Sequence, residues 1–202
     1  YLALRVEQGV NPRTTARLLS NLRRFYQYLL REGRVEHDPT AQIDAPKLGR
    51  PLPKSLTEED VDALLNAPDI ATALGLRDRS MLELLYASGL RVSALVGLTL
   101  SEVSMSQGVV RVFGKGGKER LVPMGEECLD GLQRYKDEAR AELLSGNISD
   151  AMFVTRRGGA MTRQAFCYLI KRYALQAGIN TSLSPHTMRH AFATHLLNHG
   201  AD

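Results

Sequence analysis

Four prolines fall between Asp38 and Leu56 and divide the chain into two parts. Proline fixes its own backbone angle and lacks an amide donor, so this density of proline excludes a regular helix or a central strand. Such a segment is typical of an extended linker between domains. The sequence therefore predicts the end of a helical domain at residues 1–35, a linker at 36–54 and a larger domain at 55–202.

Hydrophobic periodicity predicts a mainly helical protein with one small β-hairpin. Residues that start and stop helices bound the predicted segments, which lie near 11–33, 57–65, 76–87, 90–96, 126–144 and 162–177. The period changes to that of strands at Val109–Phe113 and again at Glu119–Pro123, with a glycine-rich turn between them. The predicted fold class is therefore mainly α with a small sheet, an α+β arrangement.

Charge is unevenly distributed along the chain. Residues 11–34 carry six arginines against one glutamate, and residues 151–201 carry six basic side chains and no acid. In contrast, residues 35–110 carry eleven acidic against six basic side chains. Two basic blocks on either side of an acidic one indicate two surfaces that grip one polyanion, although solvated helix faces would give the same pattern.

The sequence lacks the signals of membrane and secreted proteins. It has no apolar run long enough to span a bilayer and no signal-peptide pattern at its start. Its two cysteines, Cys128 and Cys167, lack metal-ligand spacing, and we expect both to be reduced. The chain starts at Tyr1 in a pattern typical of the middle of a helix. We therefore expect a cytoplasmic protein that continues beyond both ends of this sequence.

A further helix should begin at Ser184 and Pro185, because serine is a favoured helix cap and proline suits the first helical position. On that helix His186 and Arg189 lie three residues apart and share one face. Arginine forks onto phosphate oxygens and imidazole moves protons near neutral pH, so the pair suits a phosphate group. A histidine that merely satisfies a hydrogen bond at the helix start is the alternative.

Two further basic side chains lie at predicted turns. Arg91 follows the break at Ser88-Gly89, at the start of a short helix, and Lys115 lies between glycines in the hairpin turn. Taken singly, the first is consistent with an ordinary surface arginine and the second with an ordinary turn lysine.

Histidines at positions 186, 190, 195 and 199 include pairs with the i,i+4 spacing of zinc ligands. No acid lies between the members of either pair, as the metalloprotease pattern requires, and Arg189 would repel a cation. We therefore expect no metal site, and expect His190, His195 and His199 to pack, cap or line the site.

Together these motifs resemble the tyrosine site-specific recombinases of the integrase family. The resemblance rests on Leu85–Ser93, Gly114–Arg120 and His186–His190, and it covers nearly the whole chain. The arginine-rich helix at 13–31 resembles the end of the family's N-terminal domain, a SAM-like helical fold that clamps DNA. The resemblance implies site-specific DNA recombination by strand cleavage and religation through a 3′-phosphotyrosyl intermediate, without metal, cofactor or ATP.

The resemblance also implies a role for each candidate residue. Arg91 and Arg189 would clamp the scissile phosphate and stabilise its developing charge. Lys115 would protonate the departing 5′ oxygen, and His186 would assist proton transfer near the nucleophile. Six further basic residues would contact DNA: Arg17, Arg23, Arg24, Lys118, Arg120 and Arg163.

This sequence departs from the family pattern in two ways. No tyrosine stands in the family's nucleophile context, so we expect the nucleophile and a second catalytic histidine or tryptophan beyond Asp202. The present chain alone should then be inactive. Ala94 stands where relatives carry an acid that would orient neighbouring groups, which brings full activity into question.

The implied partners are a double-stranded DNA recombination site, a related recombinase in a tetrameric synapse and a DNA translocase of the division septum, with no membrane. The expected process is resolution of chromosome dimers during cell division. Two alternatives remain open: a phage or transposon integrase, and a non-catalytic DNA-binding protein left by truncation or decay.

Overall fold

The computed structural model describes residues 1–46, 56–114, 117–180 and 183–198. The chain forms two compact units, Tyr1–Pro53 and Lys54–Asp202. Helices dominate, and a small antiparallel sheet lies in the second unit, so the predicted fold class is confirmed. Of the predicted linker, residues 47–54 lie outside the described residues.

The described part of the first unit contains two helices, α1 (Leu2–Glu7) and α2 (Pro12–Arg31). The sequence predicts the start of α2 correctly. The Asn11 side chain accepts a hydrogen bond of 2.9 Å from the backbone of the first turn, and proline occupies the first helical position. Shortly after the helix ends, Gly33 takes the left-handed conformation with φ of +63°, which glycine adopts without strain.

The described part of the second unit contains seven α-helices: α3 (Glu58–Asn66), α4 (Ala73–Ser88), α5 (Val92–Gly97), α6 (Glu126–Arg134), α7 (Arg140–Leu144), α8 (Arg163–Gln176) and α9 (Pro185–Asn198). The core surrounds α4, whose residues Met81, Leu82, Leu84 and Leu85 are fully buried, as the apolar pattern predicts. This helix starts one turn earlier than expected, because the Thr72 hydroxyl caps it by accepting from the Gly75 amide at 3.0 Å.

The sheet has three antiparallel strands in sequential order: β1 (Val103–Ser104), β2 (Val109–Phe113) and β3 (Glu119–Pro123). The predicted hairpin of β2 and β3 is confirmed, with Arg111 opposite Leu121 in the register. The sequence did not predict β1, since two residues are too short to show an alternating pattern. Beyond the end of β2, the Gly114 amide donates to the Lys118 carbonyl at 2.8 Å and closes the turn.

The predicted helical segment at 126–144 is interrupted by a π-helical turn at Tyr135–Ala139, between α6 and α7. Five-residue spacing brings Tyr135 and Arg140 to the same side of the segment. There the Tyr135 hydroxyl donates to the Met152 carbonyl at 3.1 Å and the Arg140 Nε donates to the same oxygen at 3.3 Å. The turn thus satisfies a buried carbonyl in the segment that follows α7.

Buried Asp78 joins α4 to α8. Its Oδ1 accepts from the Nε and Nη2 of Arg77, at 2.8 and 2.5 Å, and its Oδ2 accepts from the Tyr173 hydroxyl at 2.8 Å. Arg172 donates to the same Oδ2 at 3.2 Å. Burial, together with this carboxylate, raises the pKa of Tyr173 to about 12, so the phenol remains a donor at neutral pH. These bonds fix the helix whose first turn carries Arg163.

Of the helices formed by the described residues, none combines the length and the apolar character needed to cross a bilayer.

Candidate active site

The starts of three helices meet around a cavity of about 580 Å³ in the second unit. From the start of α5 the lining includes Arg91 and Ser93, and from the start of α9 it includes His186 and Arg189. The first two turns of α8 add Arg163, Gln164 and Cys167. The cavity thus brings together four of the predicted site residues, Arg91, Arg163, His186 and Arg189, from segments widely separated in the sequence.

Arg91 reaches the cavity because the chain reverses direction at Gly89. Helix α4 ends there with φ of +55°, and the Gly89 amide donates to the Leu85 carbonyl at 3.0 Å. A Cβ on Gly89 would also lie 2.6 Å from the Phe192 ring of α9. Glycine therefore meets two requirements at this point, the backbone turn and the close approach of the helix that carries Arg189.

Helix α9 begins at Pro185, as the sequence predicts. The Ser184 hydroxyl accepts from the Thr187 amide at 3.3 Å, and the Ser184 amide donates to the Thr187 hydroxyl at 3.3 Å. Met188 and Ala191 are fully buried and hold the helix on the core. His186 and Arg189 share the exposed face that lines the cavity, so their predicted pairing on one face is confirmed.

Helix α8 presents side chains that sequence reasoning treated only in part. The Thr162 hydroxyl caps the helix by accepting from the Ala165 amide at 3.1 Å. Arg163, Gln164 and Cys167 then point into the cavity from the first two turns. The sequence singled out Arg163 but not Cys167. Cys167 follows Gln164 by three residues and Arg163 by four, and this helical spacing could have placed all three on one face.

The cavity is cationic. Across the ranges that the structure describes, no carboxylate lies within ion-pairing distance of Arg91, Arg163 or Arg189, and no acidic side chain lines the cavity. The N-terminus of α9, a helix of fourteen residues, adds its partial positive charge. Unpaired guanidinium groups around a concave surface suit an oxyanion with several acceptor oxygens, such as a phosphate.

The remaining predicted site residues lie elsewhere. Lys115 is outside the described residues. Lys118 and Arg120 are exposed in the hairpin, at its turn and in β3. On α2, Arg17 and Arg24 are exposed, whereas Arg23 is half-buried and donates to the Ile43 carbonyl. That bond gives Arg23 a structural role that the sequence did not indicate, and its contact with DNA stays a prediction.

The histidine-rich part of α9 does not act as one group. His190 is exposed, His195 is buried on the opposite side, and His199 lies outside the described residues. The residues that the structure describes contain no cluster of three histidine, cysteine or acidic side chains able to hold a metal ion.

Comparison with known proteins agrees with this arrangement. Residues 54–202 match the model of the phage integrase family, and residues 1–33 match its N-terminal SAM-like domain. The tyrosine recombinase XerD of Pseudomonas aeruginosa is 63% identical over 202 residues, which is all of this chain and 68% of that protein. The XerD of Shewanella oneidensis is 58% identical over the whole chain and 67% of its own length.

Solved structures share the fold. The crystal structure of XerA recombinase matches 98% of this chain and 67% of its own, with a TM-score of 0.67 and 27% identity. XerH, a site-specific recombinase solved bound to its palindromic difH substrate, matches all of this chain and 60% of its own. Its TM-score is 0.80 at 20% identity, a likeness of fold alone.

The fold and the cavity define a mainly helical protein in which arginines at helix starts line a concave surface that suits an oxyanion. The family models cover most of the chain, and the XerD proteins are similar over all of it. The chain belongs to the phage integrase family, the family of the tyrosine recombinases, and the resemblance predicted from the sequence is confirmed.

Proposed function

We propose that the full-length parent of this chain is a XerD-like site-specific recombinase that cuts and rejoins DNA through a 3′-phosphotyrosyl intermediate. The observation that carries this proposal is the cavity in which Arg91, His186 and Arg189 meet without a carboxylate. Such a site stabilises negative charge on phosphate oxygens by preorganised cations.

The proposed reaction balances without an external energy source. A tyrosine hydroxyl oxygen attacks the scissile phosphorus and the bond to the 5′ oxygen breaks, which leaves a 3′-phosphotyrosyl bond and a free 5′ hydroxyl. Arg91 and Arg189 hold the non-bridging oxygens while their charge increases. His186 assists proton transfer near the nucleophile, and Lys115 gives a proton to the departing 5′ oxygen. A 5′ hydroxyl of a second strand then attacks the phosphotyrosine and reseals the DNA.

The proposal places the nucleophile beyond residue 202. None of the seven tyrosines, all of which are described, lines the cavity. The hydroxyls of Tyr86, Tyr135 and Tyr173 are each hydrogen-bonded elsewhere in the second unit. The present chain covers 65–68% of the length of its XerD relatives, which leaves room for further catalytic residues in them.

Further contacts with DNA would come from six basic side chains, three on each unit. Arg163 lies beside the proposed phosphate site, where it can reach a neighbouring phosphate or a base edge. Lys118 and Arg120 flank the hairpin turn and face solvent. On the first unit, Arg17, Arg23 and Arg24 lie on α2 and would contact the DNA backbone.

We further propose that the parent resolves chromosome dimers in the cytoplasm, with a XerC-like recombinase in a tetrameric synapse and a DNA translocase of the division septum. Identity of 55–63% to six XerD proteins supports this role over that of a phage or transposon integrase. The phage and transposon integrases among the structural matches share only 16–24% of residues. Similarity over the whole chain to proteins named as tyrosine recombinases disfavours a non-catalytic DNA-binding role.

The decisive experiment uses a nicked duplex in which cleavage releases a short strand and traps the covalent intermediate. The full-length parent should form a protein–DNA adduct that survives SDS, in the presence of EDTA and without ATP. The duplex carries the site used by the Pseudomonas aeruginosa relative. Absence of any adduct, while the duplex is still bound in a gel shift, would leave only the DNA-binding alternative.

Thiol labelling offers a second test on the present chain. Burial, with Glu83 nearby, raises the pKa of Cys128 to about 12, so that thiol should stay protonated and unreactive at pH 8. Cys167 is half-buried and lines the cavity, so it should react with DTNB first. Bound duplex should slow the labelling of Cys167 about tenfold or more if DNA occupies the cavity.

Unfolding in guanidinium provides the total thiol count, and Cys167→Ser identifies the fast reaction. Equal labelling of Cys167 with and without saturating duplex would place the DNA elsewhere on the protein.

A further inference from the structure

His195 lies on α9 but away from the cavity, in a partly buried series of hydrogen bonds. Its side chain is 8% exposed, its Nε2 lies 3.0 Å from the Leu56 carbonyl, and its Nδ1 lies 2.8 Å from the Tyr86 hydroxyl. A carbonyl oxygen only accepts, so Nε2 carries a proton and donates it. In the neutral ring Nδ1 then accepts from the Tyr86 hydroxyl, which assigns both the tautomer and the direction of the series.

These two hydrogen bonds connect three segments of the second unit. Leu56 lies just before α3, Tyr86 lies in the last turn of α4, and His195 lies in the last turn of α9. Burial, with Glu58 and Asp62 nearby, raises the pKa of Tyr86, so its hydroxyl keeps the proton that it donates. The imidazole therefore has a partner on each ring nitrogen, an acceptor at Nε2 and a donor at Nδ1.

A second contact between the same helices lies one turn closer to the cavity. The Phe192 ring packs edge-on against Tyr86, with ring centroids 6.3 Å apart, and it occupies the space that a Cβ of Gly89 would need. Two residues after Gly89 the chain reaches Arg91. Arg91 thus follows closely after the end of α4. The same end of α4 packs against α9, which carries Arg189.

We propose that His195 and Tyr86 are positioning residues of the phosphate site: their hydrogen bond fixes α9 against the end of α4 and so sets the separation of Arg91 and Arg189. The inference rests on the recombinase function proposed above. Neither side chain lines the cavity. Two guanidinium groups stabilise one phosphate only when both meet its oxygens at once, so a shift of α9 on α4 affects the reaction more than it affects binding.

The test measures the rate of adduct formation and the affinity for the duplex separately, in the full-length parent. Tyr86→Phe removes one hydroxyl and keeps the ring. Its single-turnover rate of adduct formation should fall about tenfold at saturating duplex, while the dissociation constant for the duplex changes less than about twofold. His195→Gln keeps a donor near the position of Nε2 and loses the acceptor for Tyr86, so it should lower the rate by a similar factor.

The double variant provides the strongest readout. Because both substitutions break the same bond, Tyr86→Phe with His195→Gln should be no slower than the slower single variant. Tyr135→Phe is the matched control, since it removes a buried hydroxyl with two hydrogen-bond partners that lie away from the cavity. It should lower the melting temperature without lowering the rate.

The outcomes distinguish failure of the proposed function from failure of the positioning role. If the unaltered parent forms no adduct, the proposed function fails. If it forms the adduct and Tyr86→Phe reacts at the same rate, the positioning role is wrong. Multiplied losses in the double variant, or equal losses of rate in Tyr86→Phe and Tyr135→Phe, would also overturn it. Should the His195 variant fail to fold, the two tyrosine variants decide alone.

Discussion

Arg189→Ala in the full-length parent should lower the rate of covalent adduct formation by about 10²- to 10³-fold, the effect typical of losing one preorganised charge donor at a developing oxyanion. Arg189 lines the same cavity as Arg91 and has no carboxylate partner among the described residues. Its charge is therefore free to act on the phosphate. The measurement is single-turnover trapping on the nicked duplex, at duplex concentrations that saturate binding.

Two further variants show whether that loss of rate comes from the guanidinium group and its position in the cavity. Arg189→Lys keeps the charge but not the planar fork, so its rate should lie between those of the parent and the alanine variant. Lys171→Ala removes an exposed cation from α8 that does not line the cavity, and it should react like the parent. Adduct formation that survives Arg189→Ala unchanged would refute the proposed phosphate clamp.

Asp78→Ala should cost about 3–5 kcal/mol of the free energy of unfolding, because it leaves the buried Arg77 without its charge partner. Asp78 is 1% exposed and accepts four hydrogen bonds, one of them from the Tyr173 hydroxyl. The loss affects α4 and α8 together. Urea unfolding of the present chain, followed by circular dichroism, measures the change.

Arg172→Ala is the matched control on the same carboxylate. Its side chain is 64% exposed, so its bond to Asp78 competes with water, and the variant should lose no more than about 1 kcal/mol. Similar losses in the Asp78 and Arg172 variants would show that the buried pair with Arg77 contributes little.

The parts of the site that the sequence predicts are those with local causes. The start of α9 depends on Ser184 and Pro185, which are adjacent to the helix they begin, and the face shared by His186 and Arg189 follows from helical spacing. The hairpin likewise follows from two alternating segments around a glycine-rich turn. In each case the residues that form the structure lie within a few positions of one another.

The features that the sequence missed depend on distant partners. The π-helical turn at Tyr135–Ala139 satisfies the Met152 carbonyl, and the bond from His195 reaches the Leu56 carbonyl across most of the chain. Nothing in the neighbourhood of His195 distinguishes it from His190, which faces solvent five residues earlier on the same helix. Cys167 is part of the cavity only because α8 packs where it does.

The cations of the cavity are carried by helix starts that are anchored in the core, and this separates the site from the loops between helices. Ile148, for example, is 98% exposed in the connection that follows α7, and it contributes nothing to the cavity. Chain length at such a position can change without moving Arg91 or Arg189. A recombinase built in this way can acquire new surface segments, and with them new regulators, while its chemistry stays the same.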